Sequence, residues 1–237
     1  MAFLEHLDEL RTRIIRSLIA IAIGAVVSVA FINRIVDFVL APARRSLPAG
    51  AVLIYTQPGE GFALYMQVAI MAGLVIASPF VMFEVWRFIA PGLYSREKRL
   101  AIPFVVLSSG GLIGGAFFSH FVVFPAMIAF FGTFSSPALQ FMPRLEDVFD
   151  LYTKMLIGMI AVFQMPTITF FLAKMRVVTA RFLARHIKYA ILIIFIVAAV
   201  LTPSGDPWNQ IIFAVPMIGL YLLGIVIAWL AAPSDRQ

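Results

Sequence analysis

Cysteine is missing from this chain of 237 residues, and charge is scarce. The first absence excludes disulfides, thiolate metal sites and a cysteine nucleophile. Histidine is equally thin. His6, His120 and His186 stand far apart, and no two have a metal-ligand spacing. Charged residues make up 13% of the chain against 62% hydrophobic, and mean hydropathy is +1.00. A soluble protein of this length would lack the polar surface to cover its cores. The formal charge of +6 would suit nucleic acid, but in so apolar a chain it reflects membrane topology. No nucleic-acid partner, cofactor or metal is expected. A phosphate loop, a nucleophile beside a base and a buried carboxylate pair are also missing, so no enzyme is expected.

What the chain does have is long apolar runs between Ile14 and Leu230. A helix needs about 20 residues to cross a hydrocarbon layer of about 30 Å. The runs are continuous and do not alternate, which excludes a barrel. They predict an all-α polytopic membrane protein, read as a single six-span domain over residues 1–237. The spans lie at about 14–31, 61–86, 102–131, 152–173, 189–202 and 210–230. The third exceeds what a bilayer requires, so it should tilt or protrude. The fifth is short and joins the sixth through Pro203 to Asn209, a tight turn by composition. Asp206-Pro207 reads as a helix cap followed by a first helical residue. Such a hairpin implies local thinning or a water-filled recess. The sequence shows no internal repeat of the kind that inverted-repeat transporters carry.

Lys and Arg set the orientation. Thirteen lie on one side: Arg11, Arg13, Arg16, Arg87, Arg96, Lys98, Arg99, Lys174, Arg176, Arg181, Arg185, Lys188 and Arg236. Five lie on the other: Arg34, Arg44, Arg45, Arg144 and Lys154. Both termini are therefore expected in the cytoplasm. The outer connections, about residues 33–60 and 132–151, are long. Ile35 to Leu40 looks helical and should stop at Pro42. Their Pro and Gly content argues for ordered turns.

Before the first span, Phe3, Leu4, Leu7, Leu10 and Ile14 recur at helical spacing, opposite Glu5, Asp8, Glu9 and Thr12. This predicts an amphipathic N-terminal helix at the membrane surface, not a signal peptide. Its acids either pair locally, Glu9 with Arg13 and Asp8 with Arg11, or form a patch for a basic partner. In the second-to-third connection, Pro91-Gly92 ends one helix and Ser95 can cap the next. Glu97 is then either a helix-start acid among basic neighbours or a binding carboxylate. Glu84 pairs most simply with Arg87. Gln164 lies mid-membrane, two residues before Pro166. It either satisfies a carbonyl that the proline frees or marks a polar recess. Lys154 and Lys174 should snorkel, and His120 reads as a satisfied polar contact.

Several segments, in order, carry a resemblance. They are Phe3 to Arg13, Ala41-Pro42, Pro79 through Phe88 to Arg99, Phe121 to Pro125, Phe163 to Pro166, and Leu201 to Asp206. Over nearly its whole length the chain resembles the TatC family, the multispanning subunit of the twin-arginine protein translocase. The resemblance implies an inner-membrane receptor that binds signal peptides with paired arginines and organises export of folded proteins. It also implies use of the proton-motive force, small single-span Tat partner subunits, contact with membrane lipid and homo-oligomers within the complex. By position it assigns signal-peptide binding to Glu97, Glu9, Phe88 and Arg11. It assigns outer-loop roles to Pro42 and Asp206. Many relatives carry glutamate where this chain has Gln164, an amide that stays polar but cannot titrate. The competing reading is a small-solute or ion transporter, for which only Gln164 and the proline breaks speak.

The basic asymmetry makes a prediction. Reporters fused at Arg99 and Arg181 should read cytoplasmic, and those at Ala49 and Ala138 external. A cytoplasmic signal at Ala49 would rule out six spans.

Overall fold

The computed structural model describes residues 3–47, 51–89, 101–136, 140–202 and 205–231. The described residues are helical apart from turns, irregular connections and isolated bridges, among them that between Ile54 and Arg144. Five helical stretches are long and apolar enough to cross a membrane: 7–29, 60–88, 102–132, 145–174 and 207–231. A sixth apolar helix, Ile187–Leu201, has 15 residues, or about 22 Å of rise. The architecture is that of a six-span, multi-pass membrane protein with one short span. The chain forms two compact units: residues 1–41 with 55–113, and 42–54 with 114–237.

The first unit is built on α1 (Phe3–Val29) and α3 (Glu60–Ile89). The amphipathic N-terminal segment and the first span form one unbroken helix, because neither Pro nor Gly occurs between Phe3 and Ile23. α1 carries Ala20, Gly24 and Ser28 four residues apart, and α3 carries Ala69, Gly73 and Ala77. Lipid tails are as apolar as leucine, so small residues that admit close backbone contact are what join membrane helices. A Cβ on Gly24 would fall 2.8 Å from the Gly73 carbonyl oxygen, and one on Gly73 would fall 2.5 Å from the Ala25 nitrogen. Ser28 Oγ donates to the Gly24 carbonyl at 2.8 Å, so a polar side chain inside the seam is satisfied. At the start of α3, one carboxylate oxygen of Glu60 accepts from the Thr56 amide, the Thr56 hydroxyl and the Gln57 amide. Trp86 is buried and tilts against Phe104 of α4 (Ala101–Phe118), with ring centroids 5.2 Å apart.

α2 (Ile32–Ser46) follows α1 after a tight turn. It does not stop at Pro42 but runs through it for another turn. Val39, Leu40 and Ala43 are buried, and this burial holds the helix across the missing amide. Arg44 and Arg45 sit in its last turn, where cations complement the helix dipole.

In the second unit, α4 passes into a π-helical turn, Ser119–Val123, and then α5 (Phe124–Gly132). The Phe124 amide reaches back to the Ser119 carbonyl. Pro125 explains the widening, since its ring would strike the carbonyl four residues earlier in an α-helix. α6 (Leu145–Val162) begins before the apolar run does, with Glu146 and Asp147 in its first turn and Val148 and Phe149 buried. The preceding loop is pinned, as the Leu145 amide donates to the Ile54 carbonyl at 2.7 Å. The fourth span breaks at Phe163–Gln164 and resumes as α7 (Met165–Lys174), with Pro166 in its first turn. α8 (Ala180–Arg185) is capped by Thr179, whose hydroxyl accepts from the Phe182 amide. α9 (Ile187–Leu201) and α10 (Pro207–Ala231) complete the chain. Val123, Met127, Met155, Met159, Ile194 and Phe213 form the centre of this unit's core.

The glycine seam can be tested directly. Gly73→Val should lower stability by about 1–3 kcal/mol, because the added carbons meet backbone that cannot yield. Gly110→Ala, with nothing within 4 Å of the new carbon, should be neutral or slightly stabilising. Thermal unfolding of both variants in detergent is the measurement, and equal shifts would count against the seam.

Candidate functional site

Opposite charges gather where α1 begins and α3 ends. Arg13 Nη2 donates to Glu9 Oε1 at 2.9 Å, one helical turn away. Arg13 Nη1 donates to Glu84 Oε2 at 3.0 Å across to α3. Arg13 lies opposite Glu84 and Gly24 opposite Gly73, so the two helices run antiparallel. Eleven residues separate the glycine contact from the ion pairs on each helix, a rise of about 16 Å. Side-chain exposure falls from 21% at Glu9 to 14% at Arg13 and 3% at Glu84. Glu9 is therefore the rim and Glu84 the floor. Arg87 reaches Glu84 only at 3.9 Å, with its guanidinium 5.7 Å from the centre of the Phe83 ring. Arg13 Nε is buried and has no hydrogen-bond partner among the described residues.

The sequence expectation of a Glu9–Arg13 pair is met at 2.9 Å. The Asp8–Arg11 pair does not form among the described residues. Asp8 and Arg11 are both exposed, and Thr12 Oγ1 donates to the Asp8 carbonyl instead. Glu84 takes Arg13 as its close partner rather than Arg87, a pairing that helical spacing alone misses. The available signal was depth: an acid near the end of one apolar run and a base near the start of another lie at one membrane level and can meet there. Phe88 is half-buried in the last turn of α3. Glu97, with Pro91-Gly92, Ser95 and the basic residues around it, lies outside the described residues.

The remaining candidates belong to the second unit. Pro42 sits within α2, next to the fully buried Ala43. Gln164 is half-buried at the break between α6 and α7. Its backbone N–H donates to the Ala161 carbonyl at 3.1 Å, and its backbone carbonyl accepts from the Ile168 amide at 2.9 Å. His120 is buried in the π turn, with Nδ1 3.1 Å from the Tyr152 hydroxyl, the satisfied contact that was expected. Asp206 caps α10 with both carboxylate oxygens. One accepts from the Asn209 amide and the other from the Asn209 side chain, each at 2.8 Å. Gly205, at φ 61°, lets the chain turn into this cap. Among the described residues no group of acids and histidines could hold a metal.

Losing the Asp206 cap should therefore be measurable as stability. Asp206→Ala should cost about 0.5–2 kcal/mol, and Asp206→Asn, which keeps an acceptor, much less. Thermal unfolding decides; equal losses would mean that the charge rather than the cap matters.

A family model described as Sec-independent protein translocase protein (TatC) matches residues 5–216. The Sec-independent protein translocase protein TatC of Koribacter versatilis (strain Ellin345) is 41% identical over 242 aligned positions, covering 100% of this chain and 88% of the relative. Its counterpart in Helicobacter pylori (strain J99) is 36% identical, covering 98% of this chain and 90% of the relative. Among solved structures, one of the twin arginine translocase receptor TatC superposes with a TM-score of 0.79 at 33% identity, covering 95% of this chain and 99% of that one. A second, of the same receptor in DDM, gives 0.80 at 31% identity, covering 94% and 99%. Matched end to end in sequence and in fold, this chain belongs to the TatC family of Sec-independent protein translocase proteins.

Proposed function

We propose that this translocase component is the receptor and core subunit of a twin-arginine translocase. It lies in the inner membrane with both termini in the cytoplasm. It binds signal peptides bearing paired arginines and works with small single-span partner subunits and further copies of itself. The observation that carries the reading is the rim carboxylate Glu9, held by Arg13 at the end of the first unit where α3 leads toward Glu97 in sequence. Two adjacent guanidiniums call for two carboxylates, since each binds a carboxylate through a planar fork. Glu97 and Glu9 supply them, and Phe88 and Arg11 flank the site. The likeness to structures named for a twin arginine translocase receptor supports the same reading. Pro42 and Asp206 serve the outer face. Gln164 offers partner helices a polar point from which no proton transfer is required.

A charge-assisted arginine–carboxylate contact is worth about 1.5–3 kcal/mol. Glu97→Gln, which keeps the shape and removes the charge, should weaken peptide binding about ten- to a hundredfold. Glu97→Lys should abolish binding, and Glu9→Gln should cost less than Glu97→Gln. Affinity should fall as salt rises, because part of the site faces water. Titration of a labelled twin-arginine peptide into each variant at two salt concentrations tests this. Unchanged affinity for Glu97→Gln would overturn the assignment.

A further inference from the structure

We infer that Arg13 and Glu84 set the selectivity of the site: Arg13 is an internal guanidinium that an incoming arginine must displace from Glu9, and Glu84 is the carboxylate that keeps Arg13 when it does. The inference rests on the reading of Glu9 as a signal-peptide carboxylate.

The geometry of Arg13 is divided. A guanidinium and a carboxylate pair best side by side, through two parallel hydrogen bonds. Arg13 instead gives one terminal nitrogen to Glu9 at 2.9 Å and the other to Glu84 at 3.0 Å. Its Nε, a third donor, is buried without a partner among the described residues. Neither carboxylate receives the full fork from Arg13, so both contacts are weaker than a paired one.

The burial gradient gives the exchange a direction. Glu9 is the outermost of the three groups and Glu84 the innermost. An arriving guanidinium therefore meets Glu9 first and can take it by the full fork, releasing one nitrogen of Arg13. Arg13 stays bound to Glu84, and its spare donors can complete a fork there. A half-buried cation left without a partner would make such an exchange costly. Glu84 removes that cost, and Arg87 at 3.9 Å supplies further positive charge on its outer side. An ammonium group offers no fork. It must displace the same Arg13 contact and recovers less. Arg13 thus raises the threshold for every cation and favours arginine over lysine.

The test uses the full chain purified in detergent and two labelled peptides, one with paired arginines and one with paired lysines. Arg13→Gln combined with Glu84→Gln removes the competitor without leaving an unpaired buried charge. It should bind both peptides more tightly, the lysine peptide most, so that the arginine-to-lysine affinity ratio falls about tenfold, the scale of one charge-assisted contact. Glu84→Gln alone leaves Arg13 with Glu9 as its close partner. It should bind the arginine peptide about tenfold more weakly. Arg13→Lys keeps the charge and loses the fork, and should shift the ratio in the same direction as the double variant, by less. It serves as the readout if the double variant does not fold. An unchanged ratio in the double variant, or in Arg13→Lys where that stands in for it, overturns the inference. So does wild-type binding by Glu84→Gln. If Glu9→Gln still weakens binding in that case, the assignment of Glu9 survives. If Glu9→Gln binds as wild type does, both readings fall.

Discussion

The backbones of α1 and α3 touch at Gly24 and Gly73, and the chemistry of the first unit depends on that closeness. In lipid no hydrophobic force draws two apolar helices together. Contact must come from shape, and a Cβ at either glycine would lie within 2.8 Å of the opposing backbone. The contact holds the helices near enough for Arg13 to span from its own helix to Glu84. Without it, Glu84 would be a carboxylate in an apolar run with only the distant Arg87 to balance it, an expensive arrangement in a membrane. A packing motif with no polar atom in its side chains thus determines whether an ion pair can exist about 16 Å away.

The second unit faces the other constraint of lipid, that backbone groups find partners within the protein. Many of its polar side chains serve that purpose. Gln210 Nε2 donates to the Phe195 carbonyl, Thr202 Oγ1 to that of Ala198 and Tyr221 to that of Leu183. Prolines open the ladder near Phe124 and Gln164, and each opening is bridged locally by an amide that bonds one step off the α pattern. Polar residues here are mostly structural. In the first unit the charges at Glu9, Arg13 and Glu84 face one another rather than the backbone.

Apolar run length made the helical class and the span count legible in the sequence, because a bilayer imposes one length scale on every crossing. Asp206-Pro207 was legible as a cap because its signal is local. Features set by tertiary packing were less legible. Pro42 looked like a stop, yet buried Val39, Leu40 and Ala43 carry the helix past it. The start of α6 at Leu145 was hidden because its first turn is acidic, and hydropathy registers the lipid-facing part of a helix, not its beginning. At the site, the Glu9–Arg13 pair follows from i,i+4 spacing. The bond from Arg13 to Glu84 spans 71 residues of sequence, which no local rule connects.

The π-helical turn at Ser119–Val123 holds one more residue than an α-helix would at that point. One residue of α-helix corresponds to 1.5 Å of rise and about 100° of rotation. Recasting the turn in α geometry would therefore move Phe124 to Gly132 along the helix axis by about one step and swing its faces by more than a quarter turn relative to the helix before it. The third span carries within it a ratchet tooth of fixed size, placed where buried His120 meets Tyr152.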